Sequence, residues 1–204
     1  MLQTNALPAA TLAALNKLMD VGYLSDRILV GGTGLALYLG HQLSVDIDLF
    51  SPEPLDVEQL ISELRRVGKT EYLNNSPVSL HLLFDDVKTD IVKYPYRWIR
   101  PVVQEQNIRL ASVEDIAAMK LAAITNRGSK KDFYDIYFLL QTYSLPQLLD
   151  FFREKFPEWN IFMVLQSLSY FEDAEPTETP KILKGRVLWE DVKKTVAETV
   201  RKYT

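Results

Sequence analysis

Hydrophobic residues recur along this chain at two spacings, and the switches between them mark out the elements. From Pro8 to Val21, Leu12, Leu15, Leu18 and Met19 fall on one helical face, with Gly22 as a stop. Leu29 and Val30 read as the end of a buried strand. Gly31 and Gly32 then permit a tight turn, and Thr33 is placed to cap a short helix through Leu39. Val45-Asp46-Ile47-Asp48-Leu49 alternates with period two, which predicts Val45, Ile47 and Leu49 facing a core and Asp46 and Asp48 on the other face. After the break at Ser51-Pro-Glu-Pro54, the helical spacing returns from Asp56 to Val67 with Val57, Leu60, Ile61 and Leu64. Val78 to Phe84 and Val87 to Tyr94 predict a hairpin around Asp85-Asp86, with Ser79 and His81 among apolar residues and Asp90 sharing a face with Lys88 and Val92.

A polar, aromatic link from Pro95 to Leu110 leads to Ser112-Val-Glu-Asp115, a capping pattern that opens a helix containing Lys120 and running to about Asn126. Arg127-Gly128 ends it. Ser129-Lys-Lys-Asp132 opens the next, with Phe133, Ile136, Tyr137 and Leu140 in one stripe. Leu145 to Tyr170 and Trp189 to Tyr203 read as further helices, separated by the acidic, proline-bearing stretch Glu172 to Pro180.

Composition changes this picture little. The 204 residues are 47% hydrophobic and 25% charged, enough for a sizeable core. A net charge of −4 gives no global field favouring nucleic acid or an anionic membrane. The absence of cysteine excludes a disulfide framework and a thiolate metal site, and two histidines make a histidine-rich zinc site a poor expectation. The N-terminal stretch lacks a basic start and a long apolar run, and nowhere do 18 apolar residues run together, so the expectation is a cytoplasmic protein without a membrane partner.

The chemistry concentrates between Gly31 and Asp48. Backbone N–H groups at a glycine turn opening a helix suit phosphate. Two aspartates two residues apart on a strand have Cα atoms roughly 6.5–7 Å apart, given a rise of about 3.3 Å per residue, and can converge on one hard cation. With Asp90 from a strand that can lie alongside, the three carboxylates suit one or two Mg²⁺ ions, and with a phosphate cradle they describe phosphoryl or nucleotidyl transfer. A dinucleotide fingerprint would need glycine at Leu37, and no P-loop Gly-Lys-Ser/Thr follows.

GGTGLALYLG followed by SVDIDLF, then VKTDIV, then MKLAAITNRGSKKDFYDIYFLL, resembles the AbiEii/AbiGii toxin family of the nucleotidyltransferase superfamily. The resemblance spans about Leu29 to Leu140. It implies an α/β (α+β) fold: a polymerase-β-like nucleotidyltransferase core over residues 1–110, with a mixed sheet flanked by helices, and a helical C-terminal region over 111–204. It implies an NTP substrate with Mg²⁺ or Mn²⁺, an RNA (such as tRNA) or protein acceptor, a cognate antitoxin, and a role in a toxin–antitoxin or phage-defence system. Position by position, it puts the glycine turn at Gly31, Gly32 and Thr33, the metal pair at Asp46 and Asp48, and the third carboxylate at Asp90. The lysine motif falls on Lys120 and the later acidic motif on Asp132, with Arg127, Lys131 and Asp135 as supporting nucleotide-binding candidates. Many superfamily members carry serine where this chain has Gly32, a lost hydroxyl for which Thr33 is the substitute at hand.

Each of these residues also has a plainer reading. An Asp-x-Asp strand is commonly the wet face of a sheet. Lys120 on an amphipathic helix would ordinarily be solvated, Asp132 completes a capping box, and Lys131 and Asp135 are spaced as a surface pair. His41 reads as a structural hydrogen-bonding residue, and Tyr94, Tyr96 and Trp98 as packing between elements, although they can also stack a base. Two other functions fit the pattern: a non-catalytic nucleotide- or partner-binding module on the same fold, and a two-metal phosphodiesterase.

Overall fold

The computed structural model describes residues 1–203. Its centre is a seven-stranded mixed sheet in the order β3-β4-β5-β2-β1-β7-β6, where β1 is Ile28–Leu29, β2 Ile47–Ser51, β3 Thr70–Ser76, β4 Ser79–Phe84, β5 Val87–Lys93, β6 Val103–Glu105 and β7 Ile108–Leu110. The helices are α1 (Ala9–Asp20), α2 (Gly31–Leu39), α3 (Val57–Val67), α4 (Val113–Asn126), α5 (Lys130–Leu139), α6 (Leu145–Lys155), α7 (Ile161–Leu168) and α8 (Trp189–Tyr203). β2 lies antiparallel to β1 and parallel to β5, with Asp48 directly opposite Asp90. The alternating pattern holds where it matters: Ile47, Leu49 and Ile91 are fully buried, while Asp48 and Asp90 stay partly accessible on the other face. One apolar core continues from the sheet into the C-terminal helices through residues such as Ile116, Phe133, Leu148 and Val196.

Several local expectations needed correction. Val45 is 52% exposed and lies before the strand, because the backbone ahead of Ile47 bonds elsewhere: Ser44 N–H to the Ala6 carbonyl and Leu43 N–H to the Lys181 carbonyl. Thr33 caps nothing. The helix begins at Gly31 with Val30 as its N-cap and no side-chain cap, and Thr33 is buried in the first turn. The link from Pro95 to Leu110 contains β6 and β7, whose three-residue strands are too short to show a period and depend on the distant pairing of Leu110 with Leu29. β3 was not foreseen either: it is an edge strand, Thr-Glu-Tyr-Leu-Asn-Asn-Ser, with no buried residue to impose alternation. The Asp85-Asp86 turn is as expected, both residues taking the positive φ that a two-residue hairpin demands. Among the described residues no helix is long and apolar enough to cross a membrane.

Candidate active site

A cavity of about 700 Å³ opens where α2 leaves the sheet. Gly31, Gly32 and Thr33, Asp46 and Asp48, and Lys120, Arg127, Lys131 and Asp132 all line it. The turn is built for that place. Gly31 has φ +68°, and a Cβ there would overlap the Asp48 carboxylate, so only glycine lets α2 begin against β2. Gly32 is under no such constraint: a Cβ there would meet Ser44 Oγ at 3.6 Å and Lys120 Nζ at 3.8 Å, ordinary contacts. Thr33 does not supply a hydroxyl to the cavity. Its Oγ1 donates to the Asp46 carbonyl and is 2.8 Å from Ser44 Oγ, which ties the Asp46 backbone to α2.

At Asp48, burial and neighbouring carboxylates outweigh the nearby lysines. Burial, then Asp90 and to a lesser degree Asp46, raise its carboxyl from the ordinary 3.8 to about 6, against the opposing pull of Lys120 and Lys131. Asp46 is steadied by Lys131, with Nζ 3.5 Å from Oδ2. Asp90 stands beside Asp48 but outside the cavity lining, and His81 Nδ1 holds its Oδ1 at 2.8 Å. Among the described residues no group of three or more carboxylates or histidines is drawn together tightly enough to hold a metal ion.

Lys120 is the hub of a second charged group. It is only 6% exposed, not solvated, and its Nζ lies 2.9 Å from Asp132 Oδ1 and 2.6 Å from Asp135 Oδ2. Burial alone would depress the ammonium, but Asp135 and Asp132 outweigh it and hold it above the ordinary lysine value. Burial would likewise raise Asp132, yet Lys120 and the Ser129 hydroxyl bring it down to about 2. Asp132 therefore serves both readings at once, closing the capping box with Ser129 and pairing with Lys120. Asp135 is not a surface partner of Lys131. It is fully buried and also accepts from Gln42 Nε2 at 2.9 Å, with His41 Nε2 2.6 Å from the same oxygen. That bond gives His41 the structural role its position suggested.

The same cavity is also lined by a cluster of aromatic rings. Phe50, Tyr94, Tyr96, Phe156 and Trp159 form it, with successive ring centroids 4.8 to 5.4 Å apart. Trp98 is not part of it and lies 4.6 Å from Lys155 Nζ, which is itself buried against Asp115. Phe156, Trp159 and the strap Glu178–Lys181 are lining residues that sequence reasoning missed. The strap is pinned by the Gln42–Ile182 bridge and by Leu183 N–H to the His41 carbonyl. No local pattern marks such a long-range contact.

Comparison with known proteins gives the family and the fold. The family model for the nucleotidyl transferase AbiEii toxin of type IV toxin–antitoxin systems matches residues 13–202. An uncharacterized protein of Aquifex aeolicus (strain VF5) is 33% identical over 196 residues, covering 93% of this chain and 94% of that protein. Two solved structures share the fold. A putative nucleotidyltransferase from H. pylori has a TM-score of 0.55 at 16% identity, covering 95% of this chain and 91% of that one. MenT4, a nucleotidyltransferase toxin from Mycobacterium tuberculosis H37Rv, has a TM-score of 0.57 at 12% identity, covering 95% and 86%. The core is thus a polymerase-β-like nucleotidyltransferase fold, and the chain belongs to the AbiEii family of nucleotidyltransferase toxins.

Proposed function

We propose that the cavity binds a nucleoside triphosphate and that the enzyme transfers its NMP to a hydroxyl of an RNA, such as tRNA, or of a protein. The observation that carries this reading is that one cavity is lined both by the glycine turn with its charged residues and by a connected cluster of aromatic rings. A triphosphate against Gly31 and Gly32 meets the N–H groups at the start of α2 and the positive end of its dipole. Lys120 donates to Asp132 and is ion-paired with Asp135, and its Nζ stands 3.8 Å from where a Cβ on Gly32 would be, close to the turn. Arg127 and Lys131, which line the same cavity, add charge for the outer phosphates. The base lies against the rings of Tyr94, Tyr96 and Trp159, where stacking is sequence-tolerant.

The donor set fits magnesium, or manganese. Asp46 and Asp48 both line the cavity and present only hard oxygens to it. Asp46 and Asp48 would hold the ion, with Asp90 adjoining; bound there, it neutralises the triphosphate and the leaving pyrophosphate. In the transfer the acceptor oxygen bonds to the α-phosphorus, the bond to the bridging oxygen breaks, and pyrophosphate leaves. Asp90, whose Oδ2 is not used by His81, takes the acceptor's proton. The helical region from residue 111 onward supplies half of the cavity and is proposed as the part that meets the acceptor or a cognate antitoxin.

Thermal unfolding with each NTP, with and without Mg²⁺, tests the binding half of this account. An Mg²⁺-dependent rise in Tm with at least one NTP, absent in Asp46→Ala/Asp48→Ala, is expected, since ligand binding stabilises the folded state by mass action. A rise that survives in the double variant would place the nucleotide elsewhere.

A further inference from the structure

A chain of hydrogen-bonded side chains ends on Asp90. The residues stand in register across three strands: Asp48 on β2 opposite Asp90 on β5, and Asp90 opposite His81 on β4. His81 Nδ1 is 2.8 Å from Asp90 Oδ1, and its other ring nitrogen, Nε2, is 3.0 Å from Ser79 Oγ. Ser79 Oγ is in turn 2.8 Å from Ser76 Oγ, which accepts from the Val78 N–H at 3.2 Å.

Proton counting gives the chain a direction. An ionised carboxylate only accepts, so the ring proton sits on Nδ1. With one proton on the imidazole, Nε2 is bare and Ser79 must donate to it. A hydroxyl has one proton, so Ser76 donates to Ser79. Every donor from the β3–β4 turn inward therefore points towards Asp90, and Asp90 Oδ1 is committed to His81.

We propose that His81 is a positioning residue for nucleotidyl transfer: oriented by Ser79 and Ser76, it fixes the Asp90 carboxylate so that Oδ2 faces the site beside Asp48. The inference rests on the function proposed above, since it assigns His81 a part in that reaction. Three features separate it from a bond that merely stabilises the hairpin. His81 and Asp90 are 31% and 23% exposed, too open for burial to require the pair. The pair connects to Asp48 through the register rather than to the core. And the ring is bonded on both nitrogens, which fixes its tautomer as well as its place.

The test uses the full chain under conditions where the wild type transfers nucleotide. His81→Leu removes the Nδ1 donor, and kcat is expected to fall about 10- to 100-fold, the usual cost of losing a partner that orients a site carboxylate. The NTP KM and the NTP-induced rise in Tm should be unchanged, because His81 does not line the cavity. His81→Asn carries an N–H where Nδ1 stood and should restore most of the rate. Ser79→Ala should give a smaller, severalfold loss. A wild-type kcat in His81→Leu, an equal loss in the asparagine variant, or a loss confined to KM would each overturn the proposal. Nitrogen-15 NMR of the His81 ring at pH 7.5 gives a readout independent of activity. Protonated Nδ1 and bare Nε2 are expected, with the two forms mixing in Ser79→Ala. A neutral ring with its proton on Nε2 overturns the proposal even if no acceptor has been found. Absence of transfer by the wild type, by contrast, bears only on the reaction.

Discussion

Replacing Asp48 with asparagine keeps the side chain's size and removes its charge, and the expected result is a more stable protein. The carboxyl of Asp48 rises from 3.8 to about 6 on folding, chiefly through burial and then through Asp90. A raised carboxyl makes the folded state the better proton binder between these values, so stability falls as pH rises through that window. Below about pH 4 the group is protonated in both states and contributes nothing. Above about pH 6 the full cost is present. At 1.36 kcal/mol per pH unit, a displacement of a little over two units is about 3 kcal/mol. Because the carboxylate opens onto the cavity, we expect Asp48→Asn to recover about 1–3 kcal/mol. Urea unfolding of both proteins at pH 8 and pH 4 reads this directly. The variant should have the higher midpoint at pH 8 with an unchanged slope, and the two should converge at pH 4. Saturating Mg²⁺ and NTP should reverse the order, since a ligand at 100 times its Kd adds about 2.7 kcal/mol to the protein that binds it. A variant no more stable than wild type at pH 8, or a difference that persists unchanged at pH 4, would refute the reasoning.

Further substitutions probe the lining of the cavity. Gly31→Ala forces a side chain into positive φ and onto Asp48, and should cost at least about 1–3 kcal/mol and abolish NTP-induced stabilisation, whereas Gly32→Ala should unfold within about 1 kcal/mol of wild type; equal effects in the two would contradict the geometry. Lys120→Met strands two buried aspartates and should lose about 3–5 kcal/mol by urea unfolding at pH 7, with partial recovery when Asp132→Asn is added; a loss below about 1 kcal/mol would show that the ion triad is not what holds α4 to α5.

The turn, β2, the hairpin and the helix starts at Ser112 and Ser129 were legible because each rests on local chemistry: glycine, strict alternation, a capping residue. Reading failed where long-range contact overrides local preference. Val45 fits the alternation but loses its strand to bonds made by Leu43 and Ser44 with distant carbonyls. Lys120 and Asp135 look like surface charges because an isolated helix gives no sign that two helices will bury them against each other. The aromatic cluster was half visible. Tyr94 and Tyr96 follow the Asp90 strand directly, but Phe156 and Trp159 arrive from about 60 residues further along the chain, and Trp98 turned instead to Lys155.

The central claim is that the NMP, with its α-phosphate, passes to an acceptor hydroxyl as pyrophosphate leaves, and that the γ-phosphate is not the group transferred. The direct measurement is incubation of the protein and Mg²⁺ with total RNA and total protein, using NTPs labelled at either the α- or the γ-phosphate. Label from an α-labelled NTP in a macromolecule, with pyrophosphate released and no signal from Asp46→Ala/Asp48→Ala, is the predicted result. Transfer of label from the γ position instead, or α-transfer undiminished in the double variant, would contradict the account.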